Sequence, residues 1–281
     1  KGWGRSIIIG VAEAGADEGR PHRSVGGLAR ELVFAAQACE AVELPGDPAN
    51  DDVWIALTAL LLRGIDHQAG GTLRVEAAAI DIGGHRGEAV KAYVRQRLIR
   101  RLMPIFGATR NNAPVLGKGK LVEVNWRGQY DKRGVHIHEV GTVGIKHLLY
   151  SRLSTDAEKA PEQRLVRFSH DLDDQYLGGL VSETYDPAKN RFVPRRGAPR
   201  NEPLDTWVYA YAATHHPELR LHRHTKADWD ERERHLTVRS IADEPSSQGQ
   251  VHRPAGQVAA TQPAPPPPMS PFASDSWSTR W

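Results

Sequence analysis

The sequence has little of several features that would place it in familiar protein classes. Its 281 residues include 1 cysteine, Cys39, which excludes a disulfide framework and a cysteine-based zinc cluster and fits a reducing compartment. No apolar run reaches the roughly 20 residues that a membrane-spanning helix needs, and no charged-then-apolar leader opens the chain. The net charge is only +3, so any basic surface for nucleic acid must be local. These absences predict a soluble, intracellular protein.

Two further features are missing. No glycine-rich segment ends in Gly-Lys-Ser or Gly-Lys-Thr, so a phosphate-loop ATP site is not expected in this chain. The first residue is Lys1 rather than methionine, so we expect an N-terminal portion to be missing.

What the sequence does contain is an alternation of strand and helix patterns, which predicts an α/β domain with a mixed sheet flanked by helices. Strands are predicted over 6–10, 72–80, 103–106 and 134–140. Helices are predicted over 28–42, 51–61, 88–102, 145–153, 176–182, 201–213 and 228–235. We place the domain at 42–225 and a short helix or linker at 226–245. Residues 1–41 form a separate N-terminal segment, in which 11–27 lack clear periodicity.

Residues 246–281 form a tail rich in Pro, Gln, Ala and Ser, which has too little apolar bulk to offset the entropy of ordering. We expect this tail to be disordered. It ends in Phe272, Trp277 and Trp281, which indicate either a frayed terminus or a short docking peptide, and we favour docking.

The segment 200–213 places two carboxylates at the start of an apolar helix. Asn201 is a predicted N-cap and Pro203 lies in the first turn, where it has no N–H to lose. Glu202 and Asp205 are three residues apart and so share a helix face. They either merely complement the helix dipole or contribute to a metal-dependent site for a polyanion.

Asp81 is the second candidate, because it directly follows a strand that becomes wholly apolar. Ligands of α/β sheets bind just outside such strand ends. Gly83 and Gly84 permit close approach of a ligand, and His85 adds a contact to phosphate or to a metal-bound water. Alternatively, Asp81 is the N-cap of the next helix and the glycines form an ordinary turn.

Together, Asp81 and Asp205 favour a divalent-metal site. Two-metal nucleases need carboxylates that converge from separate elements, and Mg²⁺ prefers oxygen ligands and keeps waters. A strand-end Asp and a helix-start Asp are the arrangement that an RNase H-like sheet provides.

Four ordered motifs resemble the lambda-type phage terminase large subunit, the GpA family. They are Asp-Ile-Gly-Gly-His at 81–85, the Val-Gly-Ile-Lys-His helix at 143–153, the Asn-Glu-Pro-Leu-Asp helix at 200–210, and Leu-Pro-Gly-Asp-Pro at 44–48 with Trp54. A short patch at 1–5 is also similar, and the main resemblance covers about 42–224.

The resemblance implies an RNase H-like endonuclease domain of a DNA-packaging motor, dependent on Mg²⁺ or Mn²⁺ and working in the bacterial host cytoplasm. It implies that Asp81 and Asp205 are metal ligands, with Glu202 a catalytic accessory. Lys146 falls on a lysine of the family, and it either contacts DNA phosphate or is an ordinary helix-surface lysine. The implied partners are double-stranded DNA, the terminase small subunit and, through the tail, the portal protein.

The sequence departs from the family pattern in two ways. The family's first catalytic Asp would precede Lys1, and residues 6–41 do not match the expected strand pair, through divergence or a shifted reading frame. We therefore expect feeble nuclease activity or none.

Basic segments fit a DNA-binding surface. The segment 189–200 has five positive charges and no acid, so we expect a loop whose Arg191, Arg195, Arg196 and Arg200 follow a phosphate backbone. A second set, Arg95, Arg97, Arg100 and Arg101, is more simply a solvated face.

His136 and His138 alternate along a strand and share one face, but no third zinc ligand is evident, so surface histidines are expected. A non-catalytic packaging or DNA-binding remnant is the alternative to the endonuclease. Another RNase H-like enzyme, such as a resolvase or transposase, is a third possibility.

Overall fold

The computed structural model describes residues 5–11, 36–66, 72–83, 86–160, 163, 166–170 and 172–243. The predicted tail at 246–281 and His85 lie outside the described residues. The strands are β1 (Arg5–Val11), β2 (Ala36–Leu44), β3 (Ile65–Asp66), β4 (Thr72–Leu73), β5 (Ala78–Asp81), β6 (Leu102–Gly107), β7 (Lys120–Trp126), β8 (Gln129–Val140), β9 (Val166–Phe168), β10 (Glu183–Asp186) and β11 (Arg191–Pro194). The helices are α1 (Asp51–Leu62), α2 (Gly87–Arg95), α3 (Thr142–Asp156), α4 (Asp174–Leu180), α5 (Glu202–Ala213) and α6 (Lys226–Asp243).

A four-stranded mixed sheet in the order β5-β6-β8-β7 lies at the centre of the fold. β5, β6 and β8 are parallel, and β7 is antiparallel to β8. Asp81 is paired with Ile105, and Ile105 with His138, so the carboxyl ends of three strands lie at one edge of the sheet. The predicted mixed α/β architecture is confirmed.

β5 has apolar clusters on both of its faces. Ala77 and Ala79 pack against the cluster formed with α3, α4 and α5, whereas Ala78 and Ile80 pack against the cluster formed with α1 and α2. This alternation is what a period of two residues gives when helices cover both faces of a sheet. The predicted coverage of both faces therefore holds at 78–81, although these four residues are partly rather than fully buried.

A second sheet has the order β1-β2-β9, with β1 antiparallel to β2 and β2 parallel to β9. The strand predicted at 6–10 is confirmed. The helix predicted over 28–42 is wrong for residues 36–42, which belong to β2. A short apolar run fits either type of element, and pairing with β1 on one side and β9 on the other decides for the strand.

Three other predicted elements differ from the structure. The strand predicted over 72–80 is divided into β4 and β5, and the helix predicted to continue to residue 102 ends at Arg95. The chain turns after α2 because Arg97 and Arg101 adopt positive φ angles of 55° and 53°. The loop predicted over 189–200 contains β11, which forms a hairpin with β10.

The main apolar core lies between the sheet and α3, α4 and α5. Its fully buried members include Ile105 and Val140 from the sheet, Leu149 from α3, and Leu204 and Val208 from α5. The core thus fixes the start of α5 at the sheet edge where β5 ends. Of the helices in the described ranges, none is both long enough and apolar enough to cross a bilayer.

Candidate active site

Asp81 stands at the carboxyl end of β5, and local backbone contacts fix its side chain. Ile82 N–H donates to the Ile105 carbonyl at 2.9 Å, which extends the ladder one residue beyond Asp81. Gly83 N–H donates to Asp81 Oδ1 at 2.8 Å. A Cβ at position 83 would lie 3.1 Å from that oxygen, so glycine keeps the turn open beside the carboxylate.

Asn201 occupies the N-cap position of α5, but its side chain does not cap the helix. It donates instead to Glu183 Oε1 at 2.8 Å and to Asp205 Oδ2 at 3.0 Å. The predicted capping role is therefore wrong, because two carboxylates lie within reach and accept stronger, charge-assisted hydrogen bonds. The prediction of a proline in the first turn is confirmed.

Lys146 projects from α3 between the same two carboxylates. Its Nζ lies 2.8 Å from Glu183 Oε2 and 3.0 Å from Asp205 Oδ1. Its side chain is only 9% exposed, so the helix-surface alternative is wrong. The ammonium therefore faces the carboxylate cluster and not the solvent.

Glu183, the first residue of β10, is a site residue that the sequence did not single out. Its side chain is 6% exposed, and both oxygens are engaged, one by Lys146 and one by Asn201. Its partners are 37 and 18 positions away in sequence, so no local spacing marks it. Only the tertiary fold shows that it belongs to the site.

The electrostatics of Asp205 reflect these neighbours. Burial raises the pKa of the Asp205 carboxyl, and the Lys146 ammonium opposes this rise. The negative charges of Glu183 and Asp81 add to the increase in pKa. Asp81 and Asp205 therefore lie within electrostatic range of each other.

Tyr209 is a second residue that the sequence analysis missed. It lies one helical turn after Asp205, and a Cβ at Gly107 would lie 3.5 Å from its hydroxyl. Burial, followed by the charges of Asp81 and Asp205, raises the pKa of Tyr209 well above its ordinary value. The hydroxyl thus stays protonated and can donate a hydrogen bond beside the two carboxylates. Its i+4 spacing from Asp205 was the signal in the sequence.

The other predicted site residues do not share the contacts between Lys146, Glu183, Asn201 and Asp205. Glu202 pairs with the exposed Arg200, whereas Asp205 pairs with Lys146, so the two acids of α5 have different partners. Arg191 and Arg196 are exposed on or just after the β10–β11 hairpin. Arg195 Nε donates to the Glu183 carbonyl at 3.2 Å, which ties the hairpin to the site.

The remaining candidates are mainly structural. His138 is 8% exposed and its Nδ1 lies 3.0 Å from the Gly117 carbonyl, so the prediction of a surface histidine is wrong there. The cause is the 117–119 segment, which covers the ring; His136 is exposed as predicted. In the second basic set, Arg95 pairs with Asp131 and Arg101 with Glu218.

The carboxylates present suit a hydrated divalent ion. Across the described ranges, no group of three or more His, Cys, Asp or Glu side chains is arranged to hold a metal. Asp81 and the one-third-exposed Asp205 remain as an acidic pair at the sheet edge. Mg²⁺ is commonly bound by one or two carboxylates, its waters and a substrate phosphate, so this pair fits that ion.

Fold and site together define an α/β domain with an acidic cluster and a buried lysine at the carboxyl edge of a mixed sheet. Residues 36–229 match the family described as terminase large subunit gpA, endonuclease domain, and the chain belongs to this family. The resemblance found in the motifs is thereby confirmed.

A relative named terminase, large subunit, from Enterobacteria phage P21 is 27% identical over 183 residues. The match covers 62% of this chain and 27% of the relative, so the chain spans about a quarter of that protein's length. No solved structure matches the chain.

Proposed function

We propose that this chain is a metal-dependent endonuclease domain, with an RNase H-like sheet, that cuts concatemeric double-stranded DNA during phage genome packaging. Membership of the terminase endonuclease family supports the reaction class. The observation that carries the proposal is the packing of α5 against β5, which brings Asp205 in the first turn of α5 within electrostatic range of Asp81 at the end of β5.

In this proposal Asp81 and Asp205 hold Mg²⁺ or Mn²⁺. The bound ion would polarise the scissile phosphate and supply a nucleophilic water. Lys146 and Asn201 fix the orientation of the Asp205 carboxylate, with one contact to each oxygen. The protonated Tyr209 hydroxyl is placed to donate a hydrogen bond to a substrate oxygen.

The β10–β11 hairpin is the proposed DNA-positioning element. Arg191 and Arg196 are exposed and available to phosphates, and Arg195 links the hairpin backbone to Glu183. Arg200 is exposed but shares its charge with Glu202, so we expect it to contribute less. Direct phosphate contacts by Lys146 and His85 remain predictions.

The decisive experiment is plasmid cleavage with Mg²⁺ or Mn²⁺ by the wild-type chain and by Asp81→Asn, Asp205→Asn and Glu202→Gln. The three variants make the same charge change. We expect the feeble cleavage by the wild-type chain to be lost in the first two variants and retained in Glu202→Gln, because Glu202 pairs with Arg200 and not with Lys146 or Asn201. Cleavage that survives in Asp81→Asn and Asp205→Asn would refute this site.

A catalytically impaired DNA-binding or packaging-complex module is the second candidate function. It is favoured by the contacts of Asp205 and Glu183, since Lys146 and Asn201 already engage each of their four carboxylate oxygens once and compete there with a metal ion. DNA retention without metal-dependent cleavage by the wild-type chain would select this alternative.

Contacts with the terminase small subunit and the portal protein are also proposals. The portal contact is assigned to the C-terminal segment, so removal of residues 251–281 should abolish capture by immobilised portal. Circular dichroism of the shortened chain serves as the control for folding. Undiminished capture would exclude this segment as the docking element.

A further inference from the structure

Lys146 is part of a closed ring of four side chains. Its ammonium contacts Glu183 Oε2 and Asp205 Oδ1, at 2.8 and 3.0 Å. The Asn201 amide contacts the other oxygen of each acid, at 2.8 and 3.0 Å. Lys146 and Asn201 thus both bridge the same pair of carboxylates. The ammonium supplies the positive charge that offsets the repulsion between them.

A bridging cation between two carboxylates is what the second metal provides in a two-metal site. An ammonium is a compact point charge with three donors, so it can take that position without coordination chemistry. Burial of the Lys146 and Glu183 side chains, at 9% and 6% exposure, leaves little room for an additional hydrated ion between them.

Asp205 differs from Glu183 in its access to solvent. Its side chain is 34% exposed, and each of its oxygens retains a lone pair beyond its contact with Lys146 or Asn201. A hydrated ion can therefore approach Asp205 from its exposed side. Because α5 packs against β5, the Asp81 carboxylate at the end of β5 lies within electrostatic range of Asp205. One side of Asp205 has a fixed cation and the other has space for a mobile one.

We propose that the Lys146 ammonium replaces one of the two divalent cations, so that the domain binds a single hydrated metal ion at Asp81 and Asp205. This inference rests on the proposed metal-dependent function. Lys146 is then a positioning residue. Its ion pair fixes the Asp205 carboxylate and leaves only the exposed side of that carboxylate for the metal.

The test is a Mn²⁺ titration of the full chain, followed by electron paramagnetic resonance of free Mn²⁺. We expect about one bound ion in the wild type and about two in Lys146→Met, because loss of the ammonium leaves two facing carboxylates without a cation. The double variant Lys146→Met/Glu183→Gln lacks one of those carboxylates and should return to about one ion.

Thermal unfolding gives a readout that is independent of stoichiometry. Mn²⁺ should raise the Tm of Lys146→Met more than that of the wild type or the double variant, because only Lys146→Met offers an extra metal site in the folded state. Two ions in the wild type, no gain in Lys146→Met, or a Lys146→Met chain that stays unfolded with and without Mn²⁺ would each overturn the inference.

Plasmid cleavage, measured separately, distinguishes this inference from the proposed function. Metal-dependent cleavage by a wild-type chain that binds two ions would leave the function standing and remove the single-metal site. The expected stoichiometries without any cleavage would support the role of Lys146 while refuting the endonuclease.

Discussion

At the scale of single residues, Glu183 and Glu202 show that the surroundings of a glutamate determine how much it contributes to stability. Both are glutamates close to the start of α5, yet Glu183 is buried against Lys146 and Asn201, while Glu202 pairs with an exposed arginine. Breaking a buried pair leaves an uncompensated charge, whereas an exposed pair contributes little.

We therefore expect Glu183→Ala to lower the free energy of unfolding by about 2 kcal/mol. This is less than the roughly 3–5 kcal/mol for a wholly unpaired buried charge, because Asp205 still contacts Lys146. The matched Glu202→Ala should change it by less than about 0.5 kcal/mol. Urea titration measures both values. Equal losses would mean that the buried contacts of Glu183 contribute no more to stability than the Arg200–Glu202 pair does.

Single residues also mark the limit of what the sequence predicts about the site. Asp81 and Asp205 were predicted because each follows a local pattern, a strand end or a helix start. Glu183 and Tyr209 were not predicted. Glu183 joins the cluster through Lys146 on α3, which is distant in sequence, and Tyr209 lies near Gly107 only in the folded chain. Lys146 was noted, but its burial was not predicted.

At the scale of elements, the β7–β8 hairpin depends on one close backbone approach. A Cβ at Gly134 would lie 1.7 Å from the Val122 carbonyl oxygen, where the register shifts between Val122 and Val124. This bulge lets β8 continue to the sheet edge beside β6. By contrast, a Cβ at Gly144 in α3 would meet nothing within 4 Å.

Gly134→Ala should consequently lower the free energy of unfolding by at least about 3 kcal/mol, because the backbone must move to accommodate the methyl group. Gly144→Ala is the matched control, and it should be neutral or stabilise by up to about 1 kcal/mol through helix propensity. Thermal unfolding of both variants measures these changes. A small loss of stability in Gly134→Ala would contradict the strand register of the hairpin.

The β10–β11 hairpin is the element for which we predict an effect on DNA binding. Replacing Arg191 and Arg196 together by alanine should weaken binding and lower the slope of log K against log salt by about 1 to 2, as lost phosphate contacts would. Arg100→Ala/Arg223→Ala removes the same charge from exposed positions elsewhere. Fluorescence anisotropy at several salt concentrations separates the two, and equal slopes would exclude the hairpin as the DNA surface.

At the scale of the whole molecule, α5 connects the site to a histidine pair. Asp205 lies in its first turn, and His215 follows its C-terminal end, stacked on His222 with ring centroids 4.0 Å apart. Burial and the neighbouring His222 lower the pKa of His215 from its ordinary value of 6.5 to about 4. The pKa of His222 is also lowered, mainly by burial.

The unfolded chain therefore binds more protons than the folded one between about pH 4 and pH 6.5, and its unfolding free energy should rise with pH across this window. Stability from the pair is fully present above this range and is lost as the pH falls through it. His215→Phe keeps a ring on His222 but cannot titrate, so the slope should decrease. Urea titrations at several pH values measure the slope, and an undiminished slope in His215→Phe would contradict this assignment.

The sequence alone predicted the mixed α/β class from periodicity and the family from its ordered motifs. It also singled out Asp81 and Asp205 as candidate site residues, because a strand end and a helix start are local properties of the chain. It predicted a helix where β2 forms and a loop where β11 forms, since short apolar or basic runs acquire their structure from partners that are distant in sequence. Only the tertiary structure placed Lys146 between Glu183 and Asp205. A charge can be buried only where the fold supplies its counter-charges, and those of Lys146 come from two other elements, β10 and α5.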